Sequence, residues 1–423
     1  MAAPAPPGDT LRVTLFASVD PAHAPVPATD AERLVFRQLY ETLVRVDCVG
    51  DVRPGLASRW RAEDGGSRWV FELTPGARFW DGTPVDATAL RAGWDGTPAL
   101  MVRDVAASGD GSVVVSLRVP HPIDAFGDAS WSVVKRIPES PWPLGTGPVW
   151  TGGWEGDGAG RVLRAVPLRD AGEDTPVVEF RTAVATDPRD ALDAPVDVMV
   201  TRDGGAVRYG AGRGDWRLVP LPWDRVYVLA SPLRLRSGTG TQLDSSTQAT
   251  LARDAVRDEA RAPEPHPWWA DPGCPPDALV LASPTDPIAR MPFPALVAPA
   301  DDRVAGDLVA RLVARADAEL ADLVGSRPPG LRAGRVARAD YAAHLAAGQA
   351  PAFVVPLPAH PLDACRAAAA LRADAPWLHT LAPFTAAALA PLVETRAHLL
   401  LRRGSVAHLD HDGGVRLVPG RRP

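Results

Sequence analysis

Four side chains that commonly bind metal ions lie close together near the end of the chain: His408, Asp410, His411 and Asp412. Imidazole and carboxylate groups clustered in this way would suit a divalent transition metal. The cluster runs into Gly413-Gly414, however, and its flanks at 405–407 and 415–418 have the composition of strands. These features favour a polar β-hairpin closed by an Asp-Gly-Gly turn over a metal site.

The best-marked hydrolase and nucleotide-binding signatures are absent from the sequence. There is no Gly-x-Ser-x-Gly elbow, no Walker loop and no His-Glu-x-x-His pair. Gly210, Gly212 and Gly214 form a Gly-x-Gly-x-Gly stretch, but no third glycine falls at the dinucleotide-binding spacing and no strong strand leads into it. This stretch is therefore interpreted as a surface loop, and the missing motifs count against an enzyme.

Tryptophan is frequent relative to the other aromatic residues, with 13 Trp against 4 Tyr and 9 Phe. Several lie in Pro- and Gly-rich stretches outside periodic segments: Trp131, Trp142, Trp150, Trp154, Trp223, Trp268 and Trp269. Trp combines a large apolar face with one N–H donor, which suits a pocket for varied ligands. Core packing is the favoured role of any single one, but together they favour binding over catalysis.

Length and charge limit the function classes. The 423 residues are enough for two or three domains with sizeable cores. A net charge of −6 leaves no basic surface for phosphate backbones, so nucleic acid is not an expected partner. Cys48, Cys274 and Cys365 form no Cys-x-x-Cys pair, which excludes a zinc knuckle and a dense disulfide framework. No run approaches 18 apolar residues, the length that would predict a membrane-spanning helix.

In the first half of the chain, the sequence pattern predicts several strands and one helix. Alternating apolar residues predict a strand at 11–15, and Thr29 to Glu32 have the spacing of a capping box before a helix at 30–45. Strands at 69–73 and 113–119, with Asp-Gly turns near them, predict a small β-rich region. Further short strands are predicted at 162–166, 177–180, 196–200 and 226–229.

Composition changes near residue 232. Residues 237–248 are rich in Ser, Thr and Gly and poor in apolar residues, as expected of a connection between lobes. The elements predicted beyond it are a strand at 279–281, a helix at 305–323 capped by Asp301 or Asp302, a helix near 338–348 and a strand at 353–355. This alternation is typical of βαβ units with a partly parallel sheet.

Five segments carry a recognisable set of motifs: Leu39-Tyr40-Glu41-Thr42-Leu43, Arg53-Pro54-Gly55-Leu56-Ala57 with Trp60, Trp69-Val70-Phe71-Glu72-Leu73, Phe79-Trp80-Asp81-Gly82-Thr83-Pro84-Val85, and Pro143-Leu144-Gly145-Thr146-Gly147-Pro148. In this order they resemble the family 5 extracellular solute-binding proteins, the dipeptide-, oligopeptide- and nickel-binding components of ABC importers. A weaker similarity continues at Val196-Asp197-Val198 and Arg253-Asp254-Ala255-Val256.

The resemblance implies an α/β fold of the two-lobe, class II periplasmic-binding-protein type, with a small β-rich subdomain in the first lobe. The first lobe is expected at 10–232, with the subdomain at about 46–140, and the second lobe at 233–385. Residues 386–423 are expected to return to the first lobe. Such a fold places the ligand in a cleft between lobes that close by hinge motion.

The resemblance predicts a substrate-binding protein that captures a small molecule or a peptide and delivers it to a membrane ABC permease. It implies a monomer that is not an enzyme and uses no cofactor or metal. An intracellular ligand sensor with the same two lobes is an alternative, and an enzyme with an unrecognised site is a third. Residues 1–9 lack the regions of a secretory signal. The expected location is therefore periplasmic or extracellular and membrane-associated if a signal has been removed, and cytoplasmic if the N-terminus is native.

Loops at strand ends near the crossings between lobes are expected to line the ligand site. The candidate ligand-binding residues are Ser18, Asp20, Thr146, Trp150 and Trp223, with His360 and Asp363 from the second lobe. The acidic residue that peptide-binding members use to hold the ligand's α-amino group is not evident at its usual place in 353–363. A buried ammonium without a carboxylate partner is costly, and Asp363 is only a weak substitute, so the ligand class stays open.

Overall fold

The computed structural model describes residues 10–95, 101–109, 111–156, 161–167, 175–183, 187–232, 246, 249–250, 252, 259–263, 295–315, 331–358, 375 and 389–418. The chain forms two compact units. Unit 1 comprises Met1–Thr201, Ala206–Pro222 and His398–Pro423, and unit 2 comprises Arg202–Gly205 and Trp223–Ala397. The lobe boundaries given above stay a prediction.

The described strands are β1 (Thr10–Leu15), β2 (Val44–Val46), β3 (Val52–Pro54), β4 (Ala57–Glu63), β5 (Arg68–Leu73), β6 (Val102–Ala107), β7 (Ser112–Leu117), β8 (Val149–Trp150), β9 (Trp154–Glu155), β10 (Val162–Pro167), β11 (Val177–Thr182), β12 (Val198–Thr201), β13 (Trp216–Ala230), β14 (Ala260–Arg261), β15 (Ala295–Pro299), β16 (Arg332–Val336), β17 (Ala352–Pro358), β18 (Leu389–Arg402), β19 (Val406–Leu409) and β20 (Val415–Val418). The helices are α1 (Asp30–Leu39), α2 (Ala87–Trp94), α3 (Pro188–Asp193), α4 (Gly204–Ala211), α5 (Arg303–Arg315) and α6 (Arg338–Ala347). Among the described residues, no helix has the length and apolar character needed to cross a membrane.

The larger sheet of unit 1 is built around the predicted first strand. The strand order is β18-β12-β1-β11-β10-β8, and β1 runs parallel to both of its neighbours. Val13 pairs with Phe180 on one side and Val198 on the other, and all three side chains are buried. A strand between two parallel neighbours is normally covered on both faces, which explains the apolar residues in all three strands.

A second, antiparallel sheet forms the β-rich subdomain predicted from the Asp-Gly turns, and its strand order is β4-β5-β7-β6. Its core contains Phe71 and Val115 from the sheet and Phe126 and Trp131 from the segment that follows it. The Phe126 ring lies 5.0 Å from Phe71 and 4.5 Å from Trp131, measured between ring centroids. These ring contacts add to the burial of apolar area that stabilises the subdomain.

The predicted helix at 30–45 is too long. Thr29 does cap it, with its Oγ1 accepting the Glu32 N–H at 3.1 Å, but the helix ends at Leu39 and β2 begins at Val44. The Leu39 carbonyl accepts the Gly147 N–H at 3.0 Å. Leu43 keeps helical spacing in the sequence but is buried in the core of the β-rich subdomain. The periodicity of apolar residues could not show that Leu43 belongs to the core of the subdomain rather than to the buried face of α1.

In unit 2, β15 lies between β16 and β17 and is parallel to both, while β17 is antiparallel to β13. Alternate residues of β15 belong to different clusters, with Leu296 packed in the cluster of α5 and Val297 in the cluster of α6. Asp302 caps α5, as one of the two predicted alternatives, by accepting the Ala305 N–H at 2.9 Å. Its carboxylate also accepts a hydrogen bond from the buried Tyr227 hydroxyl at 3.1 Å. The predicted βαβ pattern is confirmed here.

The Gly210–Gly214 stretch is a surface loop only in part. Gly210 is buried in the last turn of α4, where an added Cβ would lie 3.0 Å from Leu400, while Gly212 and Gly214 are exposed beyond the helix. Gly210 therefore serves close packing against Leu400 rather than a turn. The predicted strand at 279–281, the end of the predicted helix at 305–323, Cys274 and Cys365 lie outside the described residues.

Candidate functional site

The loop after β1 contains the candidates Ser18 and Asp20, which are both exposed. Asp20 shapes the loop, because its Oδ1 accepts the Ala22 N–H at 2.9 Å. The buried carboxylate of Glu32 holds the same loop from α1, accepting the Asp20 N–H at 3.0 Å and the Ala28 N–H at 2.7 Å. Glu32 thus satisfies loop donors instead of completing the expected capping box with Thr29.

The candidate Thr146 is buried between two glycines that touch the end of α1. A Cβ on Gly145 would lie 1.9 Å from the Leu39 carbonyl oxygen, and one on Gly147 would lie 2.4 Å from the Gln38 carbonyl oxygen. Real side chains cannot approach backbone so closely, so both positions require glycine. The segment is thereby held against α1, four residues before Trp150.

The candidate Trp150 forms a stacked pair with Trp80, with ring centroids 5.6 Å apart and an angle of 27° between the planes. Both tryptophans are half-buried. The Trp150 indole Nε1 is shielded from solvent and has no acceptor among the described residues. A buried N–H without an acceptor is uncommon and calls for an explanation, such as a group that is bound in another state. The pair offers an apolar surface with one donor.

The candidate Trp223 is half-buried in unit 2 and lies beside two arginines. The guanidinium carbons of Arg261 and Arg396 lie 4.8 Å and 4.7 Å from the centre of its ring. Both distances are within the range of cation–π attraction. The ring therefore already has cationic neighbours, which the sequence pattern did not predict.

The other tryptophans that the sequence singled out divide into two groups. Trp131 and Trp142 are buried core residues, and the Trp142 ring meets Phe36 edge-on at 6.4 Å. Trp154 is half-buried and lies beneath the guanidinium of Arg161. Trp268, Trp269 and the second-lobe candidates His360 and Asp363 lie outside the described residues. Packing is therefore the observed role of two of them.

The C-terminal cluster is a hairpin, as expected, and its carboxylates pair with arginines. Strands β19 and β20 are joined in antiparallel register, with His408 opposite Arg416. Asp410 lies 3.1 Å from Arg416 Nε, and Asp412 hydrogen-bonds Arg37 of α1. Within the described part of the chain, no group of three or more His, Cys, Asp or Glu side chains could hold a metal ion.

This cluster includes buried charges that sequence reasoning missed. Burial by itself would lower the pKa of Arg37, but Asp412 and Asp410 raise it overall. Burial raises the pKa of the neighbouring Glu41 carboxyl, against the attraction of Arg416 and Arg45. Arg37 and Asp412 are 375 positions apart in the sequence, so no local pattern could have found this pair.

Within unit 1 the candidates fall into two places, the loop of Ser18 and Asp20 and the segment of Thr146 and Trp150. No hydrogen bond or ring contact joins the two places in the described residues. Both are supported by α1, through Glu32 at its start and Leu39 at its end. The two groups of candidates are thus both held by α1 and do not contact each other directly among the described residues.

These features define a class: an α/β protein with the two-lobe fold of the periplasmic binding proteins. Three solved structures have this fold over nearly the whole chain. They are NikA from Brucella suis in complex with Fe(III)-EDTA (TM-score 0.62, 15% identity, 97% of this chain and 100% of that chain), the murein tripeptide binding protein MppA of Escherichia coli (0.66, 16%, 99% and 100%), and a dipeptide binding protein from Pseudoalteromonas sp. SM9913 in complex with Met-Leu (0.63, 14%, 96% and 98%).

Two curated proteins of Escherichia coli share local sequence similarity with the chain. The probable deoxycholate-binding periplasmic protein YgiS is 43% identical over 56 residues, and the periplasmic murein peptide-binding protein MppA is 39% identical over 78 residues. These matches cover 13% and 18% of this chain, and only 10% and 14% of those proteins. No protein-family model matches the chain. The structural neighbours confirm the two-lobe fold that the resemblance to the family 5 solute-binding proteins implied.

Proposed function

We propose that the protein is the solute-binding component of an ABC importer, that it works in the periplasm, and that it is not an enzyme. The observation that carries the proposal is the likeness of its fold, over nearly its full length, to proteins solved with the dipeptide Met-Leu, with Fe(III)-EDTA and with agropinic acid. The periplasmic location of the two curated relatives supports the location. The partners would be a small solute and a membrane permease.

Trp150 is the described candidate best suited to touch the solute. Its ring is fixed by stacking on Trp80, so little side-chain entropy would be lost on binding. Its buried Nε1–H lacks an acceptor among the described residues, and a polar atom of the solute would supply one. Thr146 lies on the same segment and is proposed as a neighbour in the site. Ser18 and Asp20 are exposed and stay proposals without a contact to support them.

A peptide is one of several solutes that the proposal includes. Phe353, Val354 and Val355 form a buried part of β17, which leaves no carboxylate there for an α-amino group. A non-peptide solute needs no such partner. The first experiment must therefore sample several chemical classes.

The test is a thermal-shift screen of the purified chain against dipeptides, a murein tripeptide, Fe(III)-EDTA, nickel–histidine, opine acids, deoxycholate and sugars. A ligand that binds only the folded state stabilises it by about 2.7 kcal/mol at 100 times its Kd, which gives a clear shift. A saturable shift with one class supports the proposal. No shift with any class, in protein shown to be folded by circular dichroism, would contradict it.

Trp150→Phe then tests the site with the ligand that the screen identifies. The change keeps an aromatic ring but removes the indole N–H, and we expect Kd to rise about 5- to 10-fold for one lost hydrogen bond. Trp60→Phe is the matched control, because Trp60 is also half-buried but lies on β4. Equal affinity of the Trp150 variant and the wild type would remove Trp150 from the site.

A further inference from the structure

Two arginines and a tryptophan form an unusual cluster within unit 2. Trp223 lies on β13, Arg261 on β14 and Arg396 on β18, and β14 pairs with β18 so that Arg261 stands opposite Glu394. Both guanidinium groups lie within 5 Å of the centre of the Trp223 ring, at 4.8 Å and 4.7 Å. Two like charges beside one ring repel each other unless anions compensate them.

Among the described residues, a carboxylate lies beside only one of these two arginines. Arg261 Nε lies 2.6 Å from Glu394 Oε2, which neutralises its charge. Arg396 is half-buried and, in the part of the chain that the structure describes, no carboxylate lies within ion-pair distance of it. Its Nε is shielded from solvent and has no acceptor there. The cluster therefore has one guanidinium whose buried Nε–H has no acceptor among the described residues.

A nearby arginine shows what a purely structural pairing looks like in this unit. Arg202 donates from Nη2 to both carboxylate oxygens of Asp224, each at 2.9 Å, and lies 3.3 Å from the Thr395 hydroxyl, one residue before Arg396. Arg202 is buried and its charge is matched locally. Arg396 follows on the same strand, but among the described residues it has the Trp223 ring beside it and no carboxylate.

We propose that Arg396, supported by the face of Trp223, binds an oxyanion of the transported solute, either a carboxylate or a phosphate. The inference rests on the proposed function and adds the chemical class of the ligand. A guanidinium presents parallel N–H donors whose geometry matches the two oxygens of a carboxylate or phosphate. Stacking on an aromatic ring fixes the guanidinium plane and leaves its edge for the anion.

The experiment uses matched pairs of probes that differ in the anionic group. The pairs are alanyl-phenylalanine and its C-terminal amide, deoxycholate and its methyl ester, and gluconate and glucose, with glucose 6-phosphate as the phosphate probe. Kd values are measured by titration calorimetry for the wild type, Arg396→Gln, Arg396→Lys and the control Arg59→Gln. Arg59 is a suitable control because its side chain is 81% exposed on β4 of unit 1.

We expect at least one anionic probe to bind the wild type at least about 10-fold more tightly than its neutral partner. Arg396→Gln should weaken that anion about 10- to 100-fold, as loss of charged hydrogen bonds does, while leaving the neutral partner unchanged. Arg396→Lys should recover part of the loss, because it restores the charge but not the paired donors. Preference for gluconate or for glucose 6-phosphate identifies which oxyanion is bound.

Other outcomes overturn the inference in distinguishable ways. Tight binding of a neutral probe, unchanged in Arg396→Gln, would refute anion recognition and leave solute binding intact. An equal loss of affinity for the anion in Arg59→Gln would show that the effect is one of general charge. Failure of every probe to bind the folded wild type, in the screen above as well, would refute both the inference and the proposed function. A fall in the melting temperature of Arg396→Gln without ligand, with anion affinity unchanged, would assign Arg396 a structural role.

Discussion

Replacing Asp412 by Asn tests whether the charged cluster between α1 and the C-terminal hairpin stabilises unit 1. The carboxylate of Asp412 hydrogen-bonds Arg37, and its Oδ1 accepts the Gly414 N–H at 2.9 Å. Asparagine keeps an acceptor for Gly414 and nearly the same volume. The substitution therefore removes the charge of residue 412 with little other change.

The expected loss follows from the burial of the pair. The side chain of Arg37 is 4% exposed and that of Asp412 is 25% exposed, so solvent screens this attraction only in part. Removing one partner of a buried ion pair typically costs about 3–5 kcal/mol. Asp410, 3.6 Å from Arg37 Nε, remains to compensate the guanidinium. We therefore expect Asp412→Asn to lower the free energy of unfolding by about 1.5–3 kcal/mol at pH 7, the range for a hydrogen bond to a charged group.

The pH dependence gives the prediction its sharper form. Burial by itself would raise the pKa of Asp412, but Arg37 and Arg33 lower it below the usual 3.8. A carboxyl whose pKa is lower in the folded state adds stability above its unfolded pKa and loses that contribution as the pH falls through its folded pKa. The difference between wild type and variant should be constant between pH 7 and 5 and shrink below about pH 4.

The assay is urea unfolding followed by tryptophan fluorescence at pH 7, 5, 4 and 3. Asp51→Asn is the control, because Asp51 pairs with Arg53 and both side chains are well exposed. We expect it to match the wild type at every pH. Equal stability of Asp412→Asn and wild type at pH 7, or a difference that persists unchanged at pH 3, would refute the reasoning.

Three further substitutions give separate outcomes. Gly145→Ala should lower stability by about 1–3 kcal/mol, because its Cβ would meet the Leu39 carbonyl oxygen. Gly214→Ala should leave stability unchanged, because no atom lies within 4 Å of the added Cβ. The midpoints of denaturant unfolding compare the two variants. Gly82 has φ +84°, so Gly82→Val should cost about 1–3 kcal/mol, with ligand affinity unchanged by calorimetry. Trp223→Ala should weaken binding of the screened ligand by about 1–3 kcal/mol and reduce the fluorescence change on binding; an unchanged Kd would exclude Trp223.

Local patterns predicted an element well where its periodically spaced apolar residues all belong to one core. The strand at 11–15 and the helix near 338–348 are present, as β1 and α6. Val13 and Leu15 in β1 and Tyr341 and Leu345 in α6 are buried in the core of their own unit. The helix at 30–45 failed at its end because Leu43 keeps the helical interval but belongs to another core. The prediction for Gly210 was wrong because the glycine packs against Leu400, which is nearly 200 positions away in the sequence.

The site was less predictable than the fold, because its features depend on pairings between distant segments. The Gly-Thr-Gly-Pro motif pointed to Thr146 and Trp150, but not to the stacking of Trp150 on Trp80. Trp223 was singled out as an aromatic residue in an irregular stretch. The charged environment beside it comes from Arg261 and Arg396, which only strand pairing brings together.

Helix α1 connects these observations in unit 1. At its first turn, Glu32 fixes the loop of Asp20 through two backbone N–H groups, and at its last residue, Leu39 accepts the Gly147 N–H on the segment that leads to Trp150. Gln38, in the same last turn, bonds both the Val415 carbonyl and the Leu417 N–H of β20. Two candidate loops and the C-terminal hairpin thus share one short support. A helix of 10 residues that is hydrogen-bonded to three segments has little freedom to shift one of them without the others. We therefore expect the glycine contacts and buried charges of α1 to affect ligand binding as well as stability, since they set the positions from which both candidate loops project.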